Sequence, residues 1–380
     1  MQLLDSPQNQ LPDTAKEQLL ATLEDIADKV QIQSNFCIHH PDYKSTELPT
    51  EVVERFGQLP QELQTKYRSL QLQSFLYSTY YNGSLRETMT SNADSDDLPL
   101  PQNLENNTFL GVDLAFYDRL HKSNSGVGYF DPGWTVIKQE SDDKLVVNKN
   151  GLTLHIERKK HLQPEAPSAV VGELVAIKLP RNRVQSGFYM AVGNAGHKSR
   201  SSSDRHAGIV RIYFNLTPDG AVAVMADLTR RLNDISLPFS FKALYNPSIY
   251  GRHDSAVLYF EKSNYEVVRP ILEAVYIEMR CIRRALPTHF QPQVPLFTKW
   301  LAPGLALAEE PDHKFAELES FGMNRCLIVA NALLEAWQQG DNSAAGRMSR
   351  IFNHFSLLGL DLQRSYLNAN SEDIYTPLDL

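Results

Sequence analysis

Lys144–Glu157 reads KLVVNKNGLTLHIE, two short runs of Val, Leu, Ile and Thr on either side of Asn150-Gly151. Asn-Gly is the sequence of a type I′ turn, and strands joined by so tight a turn run antiparallel. The same texture extends in both directions. WTVIKQ (134–139) precedes the pair; ELVAIKLP (173–180), SGFYMAVG (186–193), AGIVRIYFNL (207–216), AVAVMADL (221–228), PFSFKALY (238–245) and SAVLYFE (255–261) follow it. Each is short, rich in β-formers and bounded by turn residues, so each reads as a strand. Thr217-Pro218-Asp219-Gly220 reads as a further reversal.

Outside this block the period changes from two to that of a helix. Thr14 and Glu17 have capping-box spacing, and Leu19, Leu20, Leu23, Ile26, Ala27 and Val30 recur at helical intervals after them. A second helix is predicted over about 60–80, and residues 82–107, polar, proline-containing and aperiodic, read as a linker or loop. After the strands, Ser263 and Glu266 repeat the capping-box spacing ahead of Ile271, Val275, Met279 and Ile282. Further helices are predicted over about 322–339, with Gly340 as the residue that ends it, and over about 343–358. The expected class is therefore α+β: central twisted antiparallel sheets flanked by N-terminal and C-terminal helices. The expected division is a helical N-terminal region with its linker (1–107) and an α+β domain (108–380).

The 380 residues are 42% hydrophobic and 22% charged, the composition of a folded globular chain, with a net charge of −8. That balance argues against a nucleic-acid coat, which needs clustered basic charge. Cys37, Cys281 and Cys326 form no C-x-x-C pair, so neither a disulfide framework nor a zinc cage is indicated, and a reducing compartment is favoured. The N-terminus lacks the layout of a signal peptide and no apolar run is long enough to span a bilayer, which together predict a cytoplasmic protein. Nucleotide-binding loops, H-E-x-x-H and the G-x-S-x-G elbow are absent from the sequence. His39-His40 with Asp42 is a poor metal site, since adjacent histidines seldom ligate one ion; no metal and no cofactor are expected.

Strand alternation selects the candidate residues. In IVRIYFNL, Val210, Ile212, Phe214 and Leu216 form an apolar side and leave Arg211, Tyr213 and Asn215 on the other. Lys178 and Lys242 interrupt apolar strands, and Arg252 precedes one. Each alone is an ordinary solvent-facing residue. Together they can form an anion site, with Arg211 and Arg252 as bidentate donors to phosphate and Lys242 as a point charge. Elimination of phosphate from phosphoserine or phosphothreonine needs such a site, a base for the α-proton and an acid for the departing oxygen. Lys178, beside Arg181, is the candidate base and His155 the candidate acid, with His121 as a second acid candidate. The segment Gly111–Trp134, containing His121, Asn124, Tyr129, Phe130 and Trp134, reads either as a lid over a peptide groove or as an aromatic plug closing the core. Residues 193–208, flexible and basic, either fold over an anionic substrate or stay disordered without one.

The segments LHKSNSGVGYFDPGW, LPRNRVQSGFYMAVGNAG, VRIYFNL, PFSFKALYNPSIYGRHDSAVLYF, PLFTKWLAPGLALAEEP and ESFGMNRC, covering most of residues 110–330, resemble the bacterial HopA-like family, named after a type III secretion effector. The resemblance implies a fold like that of phosphothreonine lyases. It implies a partner kinase related to aminoglycoside phosphotransferases, which phosphorylates a precursor peptide. The HopA-like protein then eliminates phosphate to give dehydroalanine or dehydrobutyrine in lanthipeptide-type maturation. By that resemblance His155 matches the lyases' strand histidine, with Thr153 where they carry a lysine, and Lys178 matches their base. Tyr213 and Asn215 meet their Tyr-x-Lys pair, so the missing charge falls to Lys242. Arg211 and Arg252 match the phosphate arginines, with Arg325 as a third. A non-catalytic phosphopeptide-binding or protein-binding effector is the alternative, and a scaffold that presents substrate to the kinase is a third.

Overall fold

The alternation of Ile209–Phe214 builds the centre of the molecule. The computed structural model describes residues 11–85, 108–109, 111–163, 168–197, 208–281 and 289–380. Most of the polar stretch 82–107, and residues 198–207 of the glycine- and serine-rich segment, lie outside the described residues.

The described chain opens with α1 (Leu11–Lys29), a three-stranded sheet of β1 (Gln31–Ile32), β2 (Ile38–His40) and β3 (Tyr43–Thr46), α2 (Thr50–Gly57) and α3 (Gln61–Leu76). α3 runs on as a π-helical turn, Tyr77–Tyr81. The two-residue strands β4 (Thr108–Phe109) and β5 (Val112–Asp113) lead into α4 (Leu114–Ser123). A four-stranded sheet follows, from β6 (Tyr129–Ser141), β7 (Lys144–Lys149), β8 (Leu152–Glu157) and, after the short α5 (Arg158–His161), β9 (Leu174–Leu179), in the order β8-β7-β6-β9. A seven-stranded sheet comes next: β10 (Asn182–Gln185), β11 (Phe188–Val192), β12 (Ile209–Phe214), β13 (Ser240–Leu244), β14 (Ala256–Glu261), β15 (Lys299–Ala302) and β16 (Leu305–Glu309). Its order is β10-β11-β13-β14-β12-β16-β15 with every neighbouring pair antiparallel. α6 (Pro218–Asp234) and α7 (Tyr265–Cys281) interrupt it, and α8 (Phe321–Gln338) and α9 (Ala344–Leu357) close the chain. The class is α+β, as expected.

The Asn150-Gly151 hairpin forms as read, with φ of 51° and 82° at its two central residues. One predicted strand is a helix: AVAVMADL lies inside α6. Its four-residue Ala/Val alternation fits a strand, but Ala221, Val224, Met225, Leu228 and Leu232 are all buried, which is the helical period. The supposed reversal at Thr217 is the helix start: the Thr217 hydroxyl accepts from the Gly220 amide at 3.1 Å and Pro218 occupies the first turn. α1 begins at Leu11, ahead of the Thr14 cap, and a 3-10 turn over Lys262–Asn264 carries the chain from Ser263 into α7. β15 and β16, a hairpin with Gly304 at φ 74°, were not among the expected strands.

The two faces of the large sheet are covered differently. Val210, Ile212, Phe214, Phe241 and Leu258 point to the side where Val224, Met225 and Leu228 of α6 and Leu272 and Val275 of α7 complete the core. Each such side chain contributes about 1.5–3 kcal/mol on burial. On the opposite side Tyr213 meets Tyr81 of the π turn and Phe321 of α8, with ring centroids 6.4 and 6.3 Å away. Leu72 and Phe75 of α3 and Val329 and Leu333 of α8 extend the same core. The small sheet has a separate core of Trp134, Val136, Leu145, Val147, Ile156, Val175 and Ile177.

Gly322 lets α8 approach the π turn, because a Cβ built there would overlap the Tyr81 ring. Gly322→Ala should therefore destabilise the chain by about 1–3 kcal/mol, the usual cost of overpacking a closed contact. A urea midpoint equal to that of the parent protein would show that the helix and the ring part freely.

Candidate functional site

The side of the large sheet turned toward α8 and the π turn carries the basic residues. Register rows fix who shares that face: Met190, Lys242, Val257, Tyr213 and Ala306 lie in one row, and Val192, Ser240, Tyr259, Arg211 and Ala308 in the next. Arg211 is 8% exposed and pairs with Glu310, just beyond the end of β16. Ala306 and Ala308 beside it leave room for the long side chain to reach across. Lys314, four residues after Glu310, binds the same carboxylate.

Two aromatic rings gather the cations. The Arg211 guanidinium lies 5.1 Å and the Lys242 ammonium 5.5 Å from the Tyr259 ring, while Lys242 is 4.3 Å and Arg252 6.0 Å from that of Phe188. These distances suit cation–π attraction. Arg252 makes a bidentate pair with Asp254, at 2.8 and 2.9 Å, and Asp254 accepts a third hydrogen bond from the Tyr77 hydroxyl at 3.1 Å. Among the described residues Lys242 has no carboxylate within ion-pair distance. Among the described residues of this face Arg183, Arg211, Lys242, Arg252 and Lys314 stand against three carboxylates, Asp254, Glu310 and Glu261, leaving positive charge in excess on a half-buried, aromatic-lined surface.

The electrostatics follow from burial and pairing. Burial works to raise the Asp254 carboxyl, and the Arg252 guanidinium with the Tyr77 hydroxyl outweighs it, holding Asp254 below the usual carboxylate range. Burial likewise opposes ionisation of Glu310, and Arg211 and Lys314 bring it below that range. Burial pushes the Tyr213 phenol up to about 12 against the pull of Arg211. The chemistry available is the binding of a compact dianion by forked donors and a point charge, without a metal.

The other expected site residues lie elsewhere. Lys178 is exposed on β9, and His155 sits on β8 with its side chain 66% exposed and Nδ1 3.1 Å from Glu140. These are the two edge strands of the small sheet, so three spacings, about 14 Å, separate them across the sheet. The expected base–acid pair is therefore not assembled on one carbon atom. Arg181 is turned to the loop after α4, where Nη1 donates to the Asn124 and Gly126 carbonyls at 3.0 and 3.3 Å. Asn124 is buried and donates to the Arg181 carbonyl and the Tyr189 hydroxyl, both at 3.0 Å, and His121 Nδ1 lies 3.1 Å from that hydroxyl. Tyr189 alternates with Phe188 and Met190, so this group lies behind the sheet, opposite Lys242. Burial, reinforced by Arg181, depresses the His121 pKa, which disfavours the protonated form an acid requires.

Tyr129 and Trp134, both 3% exposed, are packed inward rather than hung as a lid, with Trp134 Nε1 donating to Asp131 at 2.7 Å. Arg325, expected at the phosphate, is 2% exposed and donates to the carbonyls of Ser365 and Leu367 at 2.8 and 3.0 Å. It pins the C-terminal segment. The residues missed in the sequence are the partners: Tyr259 and Phe188, which belong to strands already read, and Asp254, two positions after Arg252. Glu310, Lys314 and Tyr77 carry no signal that links them to these strands. Among the described residues no group of three or more His, Cys, Asp or Glu is placed to hold a metal, and no helix is long and apolar enough to cross a membrane. Cys37 and Cys326 are free and buried.

Residues 179–367 match the HopA1 effector protein family. Among solved structures, the effector protein from Pseudomonas syringae pv. syringae strain 61 is similar over 93% of this chain and 99% of that one, with 11% identity and a TM-score of 0.43. The effector protein from Pseudomonas syringae pv. tomato strain DC3000 is similar over 67% and 81%, with 16% identity and a TM-score of 0.38. A search of the curated proteins finds no match.

Because Asp254 and Glu310 have folded-state pKa values below the ordinary carboxylate range, the stability they supply is complete above that range, near pH 4, and is lost as pH falls through the lowered values. Urea midpoints measured from pH 7 to pH 2 should stay level to about pH 5 and then drop. The Asp254→Asn/Glu310→Gln variant should be weaker at pH 7 and show a shallower drop; an unchanged acid limb would place the titrating groups elsewhere.

Proposed function

Starting from the HopA1 family match over residues 179–367, we propose that this chain takes a phosphorylated serine or threonine of a peptide onto the Arg211, Lys242, Arg252 face and eliminates the phosphate. The observation that supports this most is the meeting of three cations from three separate chain segments around the Phe188 and Tyr259 rings, on a face whose described cations outnumber its described carboxylates. Positive excess of that size complements a phosphate dianion. In the reaction the base removes the α-proton, the C–H electron pair becomes the Cα=Cβ bond, and the Cβ–O bond breaks with its electrons leaving on phosphate. Dehydroalanine or dehydrobutyrine and inorganic phosphate result, with no change of oxidation state overall and no metal in any step.

We assign the base to Lys242 rather than Lys178. Guanidinium groups stay protonated and are left to hold the phosphate, and Lys314 is held by Glu310, so among the described residues Lys242 is the basic group of this face open to the role, which it fills in its neutral form. The substrate this reading implies is a precursor peptide phosphorylated by a separate kinase, as in ribosomal-peptide maturation. A second reading, an effector-like phosphopeptide binder without turnover, is favoured by one observation: His155, the candidate acid, stands at the surface of the other sheet against Glu140.

Incubation with a phosphothreonine peptide, followed by mass spectrometry, should show loss of phosphoric acid, unaffected by EDTA. Binding without that loss would establish the second reading. Arg252→Ala should weaken phosphopeptide affinity roughly tenfold, the value of one charge-assisted contact. Lys242→Ala should abolish elimination and Lys178→Ala should retain it; the reverse pattern would move the base to the small sheet.

A further inference from the structure

The end of α3 meets the basic face in an uncommon way. Over Tyr77–Tyr81 the helix widens to a π turn, its closing hydrogen bond running from the Asn82 amide to the Tyr77 carbonyl at 2.9 Å. Such turns are rare and recur at functional sites. The wider turn stacks Tyr77 on Tyr81, with centroids 5.0 Å apart and planes at 20°, and turns both rings to the sheet. From there Tyr77 donates to Oδ2 of Asp254 at 3.1 Å, the oxygen that also accepts Arg252 Nη2 at 2.9 Å. The backbone makes a second tie, His253 N to the Asn82 carbonyl at 2.8 Å. Asp254 is 5% exposed, whereas the Arg252 side chain is 21% exposed.

We infer that Tyr77 is a positioning residue for Arg252: it holds the buried Asp254 carboxylate, which holds the partly exposed guanidinium, so that the N-terminal helical region completes the phosphate site. The argument rests on the phosphate reading above. A carboxylate gripping a guanidinium through both oxygens fixes its plane, but the carboxylate itself can rotate about its own side-chain bonds. The Tyr77 hydroxyl, bonded to Oδ2, restrains that rotation. Arg252 then meets a phosphate already oriented, and less of its rotamer entropy is lost on binding.

The full-length chain carrying Tyr77→Phe keeps the ring and its stack on Tyr81 and loses only the hydroxyl. Affinity for a phosphothreonine peptide, measured by calorimetry, should fall roughly tenfold, with the unphosphorylated peptide unaffected. In an Arg252→Ala background the same change should add under about twofold, because its effect passes through the missing guanidinium. Full affinity in Tyr77→Phe, or an equal loss in both backgrounds, would overturn the inference while leaving the phosphate site in place. Arg252→Ala with undiminished affinity would instead remove the phosphate reading and this inference together. Far-ultraviolet circular dichroism of each variant reports folding, and Asp254→Asn, which weakens the Arg252 grip directly, should reproduce the loss if Tyr77→Phe folds poorly.

Discussion

A guanidinium almost wholly withdrawn from water, in the middle of a sheet face, is the feature on which the polar half of this molecule depends. Arg211 would cost several kcal/mol there without an acceptor. Glu310 supplies it, and Glu310 can do so only because β16 lies directly beside β12, with Ala306 and Ala308 as the neighbours of Tyr213 and Arg211. The strand order, the small residues on β16 and the carboxylate at its end are therefore linked by one electrostatic requirement. Lys314, folded back onto the same carboxylate, extends the pair to a triad of two cations and one anion.

Of the remaining charges Arg252 is gripped by Asp254, and aromatic rings fill the intervals between the cations. Tyr259 lies between Arg211 and Lys242, and Phe188 between Lys242 and Arg252. Each contact is worth about 0.5–2 kcal/mol, enough to offset part of the repulsion between like charges without neutralising them. A surface balanced by added Asp or Glu would be more stable and less useful, since an incoming anion would compete with fixed acids. Neutral rings leave the positive potential available.

The small sheet stands apart from this arrangement. Its core of Trp134, Val136, Leu145 and Ile177 is complete in itself, and its outer face carries Lys178 and His155 on opposite edges. Behind the large sheet, Asn124 and Arg181 exchange hydrogen bonds that tie the loop after α4 to the start of β10. That exchange explains an asparagine and an arginine in a glycine-containing loop without invoking substrate. The polar groups answer to the backbone carbonyls around them.

Period-two alternation in IVRIYFNL and the Asn150-Gly151 turn were enough, from the sequence, for the α+β class, for antiparallel pairing and for setting Arg211 and Tyr213 on one face, because side-chain direction in a strand is a local property of the backbone. Alternation failed at AVAVMADL, where four residues fit either period and a Thr-Pro cap decided for a helix. Which strands lie side by side was not legible. Lys178 and Lys242 look alike in the sequence, each a lone lysine in an apolar strand, and only the tertiary structure sends one to an edge of the small sheet and the other between two rings. Tyr77, Glu310 and Lys314 join Arg211 and Arg252 from far along the chain, and no local rule predicts a partner across such a separation. Strand character and facing are written residue by residue; charge compensation is settled by proximity, and proximity exists only once the chain has folded.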